Sequence, residues 1–168
     1  MPTELKGAND LRKALKKFSP DLDKETRDEM VGFLKPLVKK ARGFMPSNSL
    51  LPSGWVGTSE PGQFPKYDAS IARRGVGYKL TPTKPNRQGW ISTVSIHNKT
   101  AGGVIYEWAG RKSNSKFVSN LGGTLTGQGQ MKGRAMFKAY KEDEGKAKVG
   151  VIRALEKAAA KFNARGNI

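Results

Sequence analysis

Gly75-Val76-Gly77-Tyr78-Lys79-Leu80 sets Val76, Tyr78 and Leu80 against small or polar neighbours. After Pro82-Thr83-Lys84-Pro85-Asn86 the alternation resumes, with Trp90, Val94 and Ile96 opposite Thr93, Ser95 and His97. A period of two sends successive side chains to opposite faces of a strand, so both runs read as antiparallel strands with one buried face. Asn98 to Gly103 reads as a tight connection, and Val104-Ile105-Tyr106-Glu107-Trp108 as a third strand following directly, which makes a meander.

Helical spacing lies on either side. Leu11, Ala14, Leu15 and Phe18 form one face of a short helix whose other face carries Arg12, Lys13, Lys16 and Lys17. Ser19 and Pro20 announce a second helix, with Asp21, Asp23 and Glu25 at its positive end and Lys39, Lys40 and Arg42 at its negative one. Its apolar stripe is Met30, Phe33, Leu34, Leu37, Val38 and Ala41; Pro36 predicts a kink and Gly43 the stop. At the other end, Ala135, Phe137 and Tyr140, then Ala147, Val151, Ala154, Leu155, Ala158 and Phe162, restore the 3.6 period, with Gly145 as a break. Helices, then strands, then helices make an α+β fold: a small antiparallel β-sheet packed by helices, with long Pro/Gly-rich loops. At 168 residues the chain has the size of one domain. Its parts are N-terminal helices (1–43), an extended loop (44–70), the antiparallel sheet (71–110), a flexible loop (111–133) and a C-terminal helical region (134–164). Trp55, Phe64 and Tyr67 sit inside the first loop, where aromatics pin a loop onto the body or offer a partner-binding surface.

The formal charge is +17 and cysteine is absent. That charge points to a polyanionic neighbour: nucleic acid, an acidic membrane or an acidic protein ring. The lack of cysteine removes disulfides, thiolate nucleophiles and cysteine metal sites, and suits a reducing compartment. Met1-Pro2-Thr3-Glu4-Leu5-Lys6 has no apolar leader, and no run approaches the roughly 20 apolar residues of a membrane span, so a soluble protein is expected. Asn98-Lys99-Thr100 matches the glycosylation triplet by chance in such a chain.

Chemistry is sparse. The single histidine, His97, ends a strand and reads as an edge residue rather than a base. Glu142-Asp143-Glu144, flanked by Lys141 and Lys146, reads as an ion-paired helix face rather than a metal cluster. Gly127-Gln128-Gly129-Gln130-Met131-Lys132-Gly133 misses the spacing of both common phosphate-binding glycine loops and reads as a hinge. No catalytic residue, cofactor or metal is expected. Arg73-Arg74 and Arg111-Lys112 beside Tyr106 and Trp108 would make a basic, aromatic patch for nucleic acid.

Three stretches together carry a resemblance. They are Glu25 to Arg42 closing on Ala41-Arg42-Gly43-Phe44-Met45-Pro46; Ala101-Gly102-Gly103-Val104-Ile105-Tyr106-Glu107-Trp108-Ala109-Gly110; and Gly133-Arg134-Ala135-Met136-Phe137-Lys138-Ala139-Tyr140 leading into Arg153-Ala154-Leu155-Glu156-Lys157-Ala158. In these the chain resembles the tail-completion and head-to-tail joining (neck) proteins of long-tailed bacteriophages, the family of lambda minor tail protein Z. It departs from them in the longer loop after Pro46 and in Trp108, where phenylalanine is usual. The resemblance covers about half the chain and implies a structural virion protein, made in the host cytoplasm and placed in the neck. There it would act as a head-to-tail connector, tail-completion or tail-terminator subunit during virion assembly, without a catalytic site. The implied partners are copies of itself in a ring, a hexamer being one form, neighbouring neck and tail proteins, and packaged DNA in nonspecific contact, with no membrane. Trp55, Arg73, Arg74, Tyr106, Glu107, Trp108, Arg111 and Lys112 are the expected partner-binding residues. The alternative is a basic nucleic-acid-binding protein.

Overall fold

Leu11, Ala14 and Leu15 do lie on one helix, α1 (Ala8–Phe18), in a computed structural model that describes residues 7–56, 65–89, 91–112, 114–129 and 131–166. Two residues of α1 differ from their expected faces. Arg12 is only 6 % exposed, because its guanidinium finds backbone carbonyls to donate to, whereas Phe18 is 66 % exposed at the helix end with the Lys17 ammonium 5.0 Å from its ring centroid. Next come α2 (Pro20–Gly43), which runs on through Pro36, α3 (Ala69–Gly75), strands β1 (Val76–Lys79) and β2 (Ser95–Asn98), α4 (Ala101–Trp108) and α5 (Lys116–Asn120). The chain continues through β3 (Thr126–Gln128), β4 (Met131–Gly133), α6 (Met136–Glu142) and α7 (Lys146–Gly166). The class is α+β, with β1 paired to β2 and β3 to β4 in two small antiparallel sheets.

The expected third strand is instead α4, so there is no meander. A short apolar run does not by its pattern separate strand from helix. Here burial falls on Gly102, Gly103, Tyr106 and Glu107, which is helical spacing, and Thr100 caps the helix by accepting from the Gly103 N–H. Glycine is a poor helix former, but these glycines are where neighbouring structure comes close: a Cβ on Gly103 would land on the Asn98 amide. The 71–110 region is thus more helical than expected, and the first loop ends earlier, at the start of α3. Asp68 caps α3 by accepting from the Ile71 N–H at 2.7 Å. Trp90 and Phe64 lie outside the described residues.

The chain divides into two compact units. The first comprises Met1–Lys35, Lys79–Ser95 and Gly145–Ile168. Its core joins Ala8, Met30, Ala154 and Leu155, with Leu11, Leu80, Val94 and Val151 packed against them; a second cluster joins Leu15, Leu22 and Ala158 with Phe162. Along the seam of α2 and α7, Lys157 pairs with Glu29 (3.1 Å), Lys161 with Glu25 (2.5 Å) and Arg165 with Asp21 (2.8 Å). Each step of four residues up α7 is a step of four down α2, so the two helices run antiparallel. Asp21 and Glu25, which read as complements to the helix dipole, therefore also bind cations of α7.

The second unit comprises Pro36–Tyr78 and Ile96–Glu144. Its interior holds Leu37, Val38, Ala41, Met45, Leu51, Trp55, Tyr67, Val76, Tyr106, Leu121 and Ala139, and α4 packs on α3 and on β4. The turn between α6 and α7 is the expected break, with Gly145 at φ +80°.

Candidate functional site

Seven of the eight expected partner-binding residues lie on or next to α3 and α4, and the eighth is in the first loop; all belong to the second unit. Three of them are not surface residues. Glu107 is 0 % exposed, with its carboxylate turned to the start of α6. One oxygen accepts from the Ala135 N–H at 2.7 Å and the Met136 N–H at 3.0 Å, and the other from the Phe137 N–H at 3.0 Å. Ala135, at the N-cap position, has no side-chain acceptor, and the first turn of a helix leaves its N–H groups without partners. Glu107 supplies the acceptors from 28 residues away, and its negative charge suits the positive helix end.

Arg134 answers from the other side. Buried just before α6, it donates to the carbonyls of Tyr106 (3.1 Å), Ala109 (2.5 Å) and Gly122 (3.2 Å), two of them at the C-terminal end of α4. Each of these helices is thus capped by a side chain from the other's segment. Burial lowers the pKa of Arg134, with Tyr106 and Glu107 acting in the opposite sense. The approach is close: a Cβ on Gly133 would coincide with a Glu107 carboxylate oxygen.

Tyr106 and Trp55 are interior for a related reason. Trp55 is 5.2 Å from both Tyr67 and Phe117, and Tyr67 is 6.2 Å from Tyr106, in an aromatic chain. The polar ends are satisfied: the Trp55 indole donates to the Pro65 carbonyl at 2.8 Å and the Tyr67 hydroxyl to the Pro46 carbonyl at 2.9 Å. Burial raises the pKa of both tyrosines. Of the two roles open to the loop aromatics, Trp55 and Tyr67 take the pinning one, and Trp55, Tyr106 and Glu107 are corrected from partner contacts to interior residues.

Comparison with protein-family models, with curated proteins and with solved structures finds no match.

What remains at the surface is smaller. Trp108 is 53 % exposed, and the Arg111 guanidinium lies 4.7 Å from its ring centroid and 5.1 Å from that of Phe137. Lys112 is exposed beside them, and Arg74 is exposed on α3. Burial lowers the pKa of Arg111, opposed by Glu107. Arg73 donates to the Met45 carbonyl at 3.1 Å, so it ties the start of the first loop to α3 rather than standing free. The basic, aromatic patch is therefore not assembled as a unit: Tyr106 is inside, Arg73 is engaged, and one exposed tryptophan remains beside Arg111 and Lys112. Among the described residues no group of three or more His, Asp or Glu could hold a metal ion, and no helix is long and apolar enough to cross a membrane.

Sequence reasoning missed Arg134, Arg42, Asn98 and Arg12, all donors to distant carbonyls. Arg42 donates twice to the Val76 carbonyl, and Asn98 donates to the Ala72 carbonyl while accepting from the Thr100 N–H and hydroxyl. One signal was available for Glu107. A helix that starts Gly-Arg-Ala-Met-Phe has no Ser, Thr, Asp or Asn at its cap, so its acceptor had to come from elsewhere.

Proposed function

We propose that this chain is a structural subunit of a tailed-bacteriophage virion, acting in the neck as a head-to-tail connector, tail-completion or tail-terminator protein, with no catalytic step of its own. The observation that carries the reading is that two of the stretches behind the resemblance cap each other. Residues 101–110 and 133–140 hold each other through Glu107 on the start of α6 and Arg134 on the end of α4, and residues 41–46 are tied by Arg42 and Pro46 to Val76 and Tyr67, which lie between the stretches in sequence. Motif residues that hold one another are what a shared framework requires.

In this reading copies of the chain close into a ring through two different surfaces, as a head-to-tail interface demands. We assign one of them to Trp108 with Arg111 and Lys112, since tryptophan and arginine are the side chains that most often anchor interfaces. The test is electron microscopy of a lysate from a phage whose copy of this gene is disabled. Filled heads lying apart from full-length tails support the joining role. Normally joined particles refute it and bring the nucleic-acid reading forward.

A further inference from the structure

Between Asp68 and Glu107 the chain contains no acidic residue, while Arg73, Arg74, Lys79, Lys84, Arg87 and Lys99 fall in that interval. Its middle, residues 80–94, is an arm of the first unit. Its described residues form no helix or strand, and a connection of this length and kind is uncommon in a compact fold and is usually functional. The base of the arm is held firmly. Leu80 and Val94 pack on the Ala8/Met30/Ala154/Leu155 core, and buried Arg12 donates to the carbonyls of both Leu80 and Thr93. Higher up, the Thr83 N–H donates to the Ser92 carbonyl at 3.0 Å and the Ser92 N–H to the Thr83 hydroxyl at 3.0 Å, tying the legs together. At the tip, Asn86 accepts from the Gln88 N–H on its side chain and from the Gly89 N–H on its carbonyl, with Gly89 at φ +78°. Every residue from 81 to 89 is exposed.

We propose that this arm is a contact for the phosphate backbone of duplex DNA, with Lys84 and Arg87 as its charged residues. The tip, Thr81-Pro82-Thr83-Lys84-Pro85-Asn86-Arg87-Gln88-Gly89, has no aliphatic or aromatic side chain outside its prolines, and the exposed Ile91 lies beyond it on the returning leg. Protein interfaces are anchored by buried aromatic and aliphatic groups, whereas Arg, Lys, Thr, Asn and Gln are the set that binds phosphate and sugar. Neither cation is ion-paired among the described residues. The acidic residues of α2 that face α7, Asp21, Glu25 and Glu29, already hold cations of this chain, and Glu107 is buried, while Asp28, Glu144 and Glu156 are exposed. The braced legs and prolines preorganise the arm, so little order has to be imposed on binding. The contact reads no sequence, and it does not depend on a joining role.

The experiment measures binding of the full chain to a labelled random duplex by fluorescence anisotropy across a salt titration, for the wild type, K84A/R87A and K16A/K24A. The last variant removes the same charge from exposed sites on α1 and α2, and circular dichroism checks that all three are folded. The arm variant is expected to flatten the log Kd against log salt slope by roughly 0.9 for each lost phosphate contact, while K16A/K24A keeps the wild-type slope. Equal losses in both variants mean that only diffuse net charge acts, and they overturn the proposal, as does an arm variant that binds like the wild type. Displacement of DNA by poly-L-glutamate at equal charge, with the same dependence on Lys84 and Arg87, also overturns it in favour of an acidic polypeptide. Joined particles from a gene-disabled phage leave these binding curves unaffected, so the two readings fail separately.

Discussion

Glu107 is a carboxylate with no access to water whose three bonding partners are the backbone N–H groups of the α6 N-cap and first two helical residues. Removing a buried acceptor leaves its donors unsatisfied, so Glu107→Ala is expected to cost about 2–4 kcal/mol in urea unfolding, and Glu107→Gln, which retains one acceptor oxygen, less. Gly133→Ala is expected to have a comparable effect because its methyl group takes the place of the carboxylate. A change of under about 0.5 kcal/mol in all three variants, the size of an ordinary surface substitution, would remove the cap from its central place. Tyr67 and Tyr106 make a pH prediction. Burial raises both pKa values above the ordinary 10.0, so the folded state favours the neutral phenols. The resulting stability is complete below pH 10 and is lost as the pH rises above it, because the unfolded chain ionises first. Two of the chain's four tyrosines are therefore expected to ionise only together with unfolding, as read by ultraviolet difference absorption. Early titration of all four would contradict this.

Among elements, the seam of α2 and α7 depends on exposed ion pairs laid over an apolar stripe. Exposed pairs contribute little individually and are screened by salt. The pKa values of Asp21 and Glu25 are lowered, chiefly by hydrogen bonds from Arg165 and Lys161 respectively. Their contribution is present above the normal carboxylate range and is lost as the pH falls through the lowered values. Those of Lys157 and Arg165 are raised, chiefly by the hydrogen bonds they donate to Glu29 and Asp21, so their contribution is lost only at strongly alkaline pH. Acidification is thus expected to lower the melting temperature more at low than at high ionic strength, as followed by circular dichroism; equal acid sensitivity at both would assign the seam to its apolar contacts alone. At this scale the sequence was legible where periodicity is long. The cores of α1, α2 and α7 follow stripes visible in the sequence, and β1 and β2 lie within the alternating runs, although burial does not alternate along them. Residues 104–108 were not legible, because five apolar-rich residues fit either period and α4 owes its form to the Thr100 cap and the close packing of Gly102 and Gly103.

For the whole molecule, the proposed neck role makes Trp108 a surface that matters only in the assembled particle. Trp108→Glu is expected to leave the chain folded, since the side chain is half exposed, and to fail when supplied to a phage lacking this gene, as counted by infectious particles. Full rescue would take Trp108 out of the docking surface and leave the neck role itself to the microscopy. Much of the candidate surface could be read in advance only as composition. Trp55, Arg73, Tyr106 and Glu107 look like binding residues in sequence because aromatic and charged side chains serve partners and interiors alike, and which they serve depends on donors and acceptors dozens of positions away. By itself the sequence determined the α+β class, the long helices and the basic character, since these follow from local periodicity and from counting charges. Only the tertiary structure decided that 101–108 is helical, that Arg12 and Arg134 are buried donors, and that Glu107 caps a helix it does not belong to. Each of those outcomes rests on a hydrogen-bond partner or a close contact brought in from elsewhere in the chain, which no local pattern encodes.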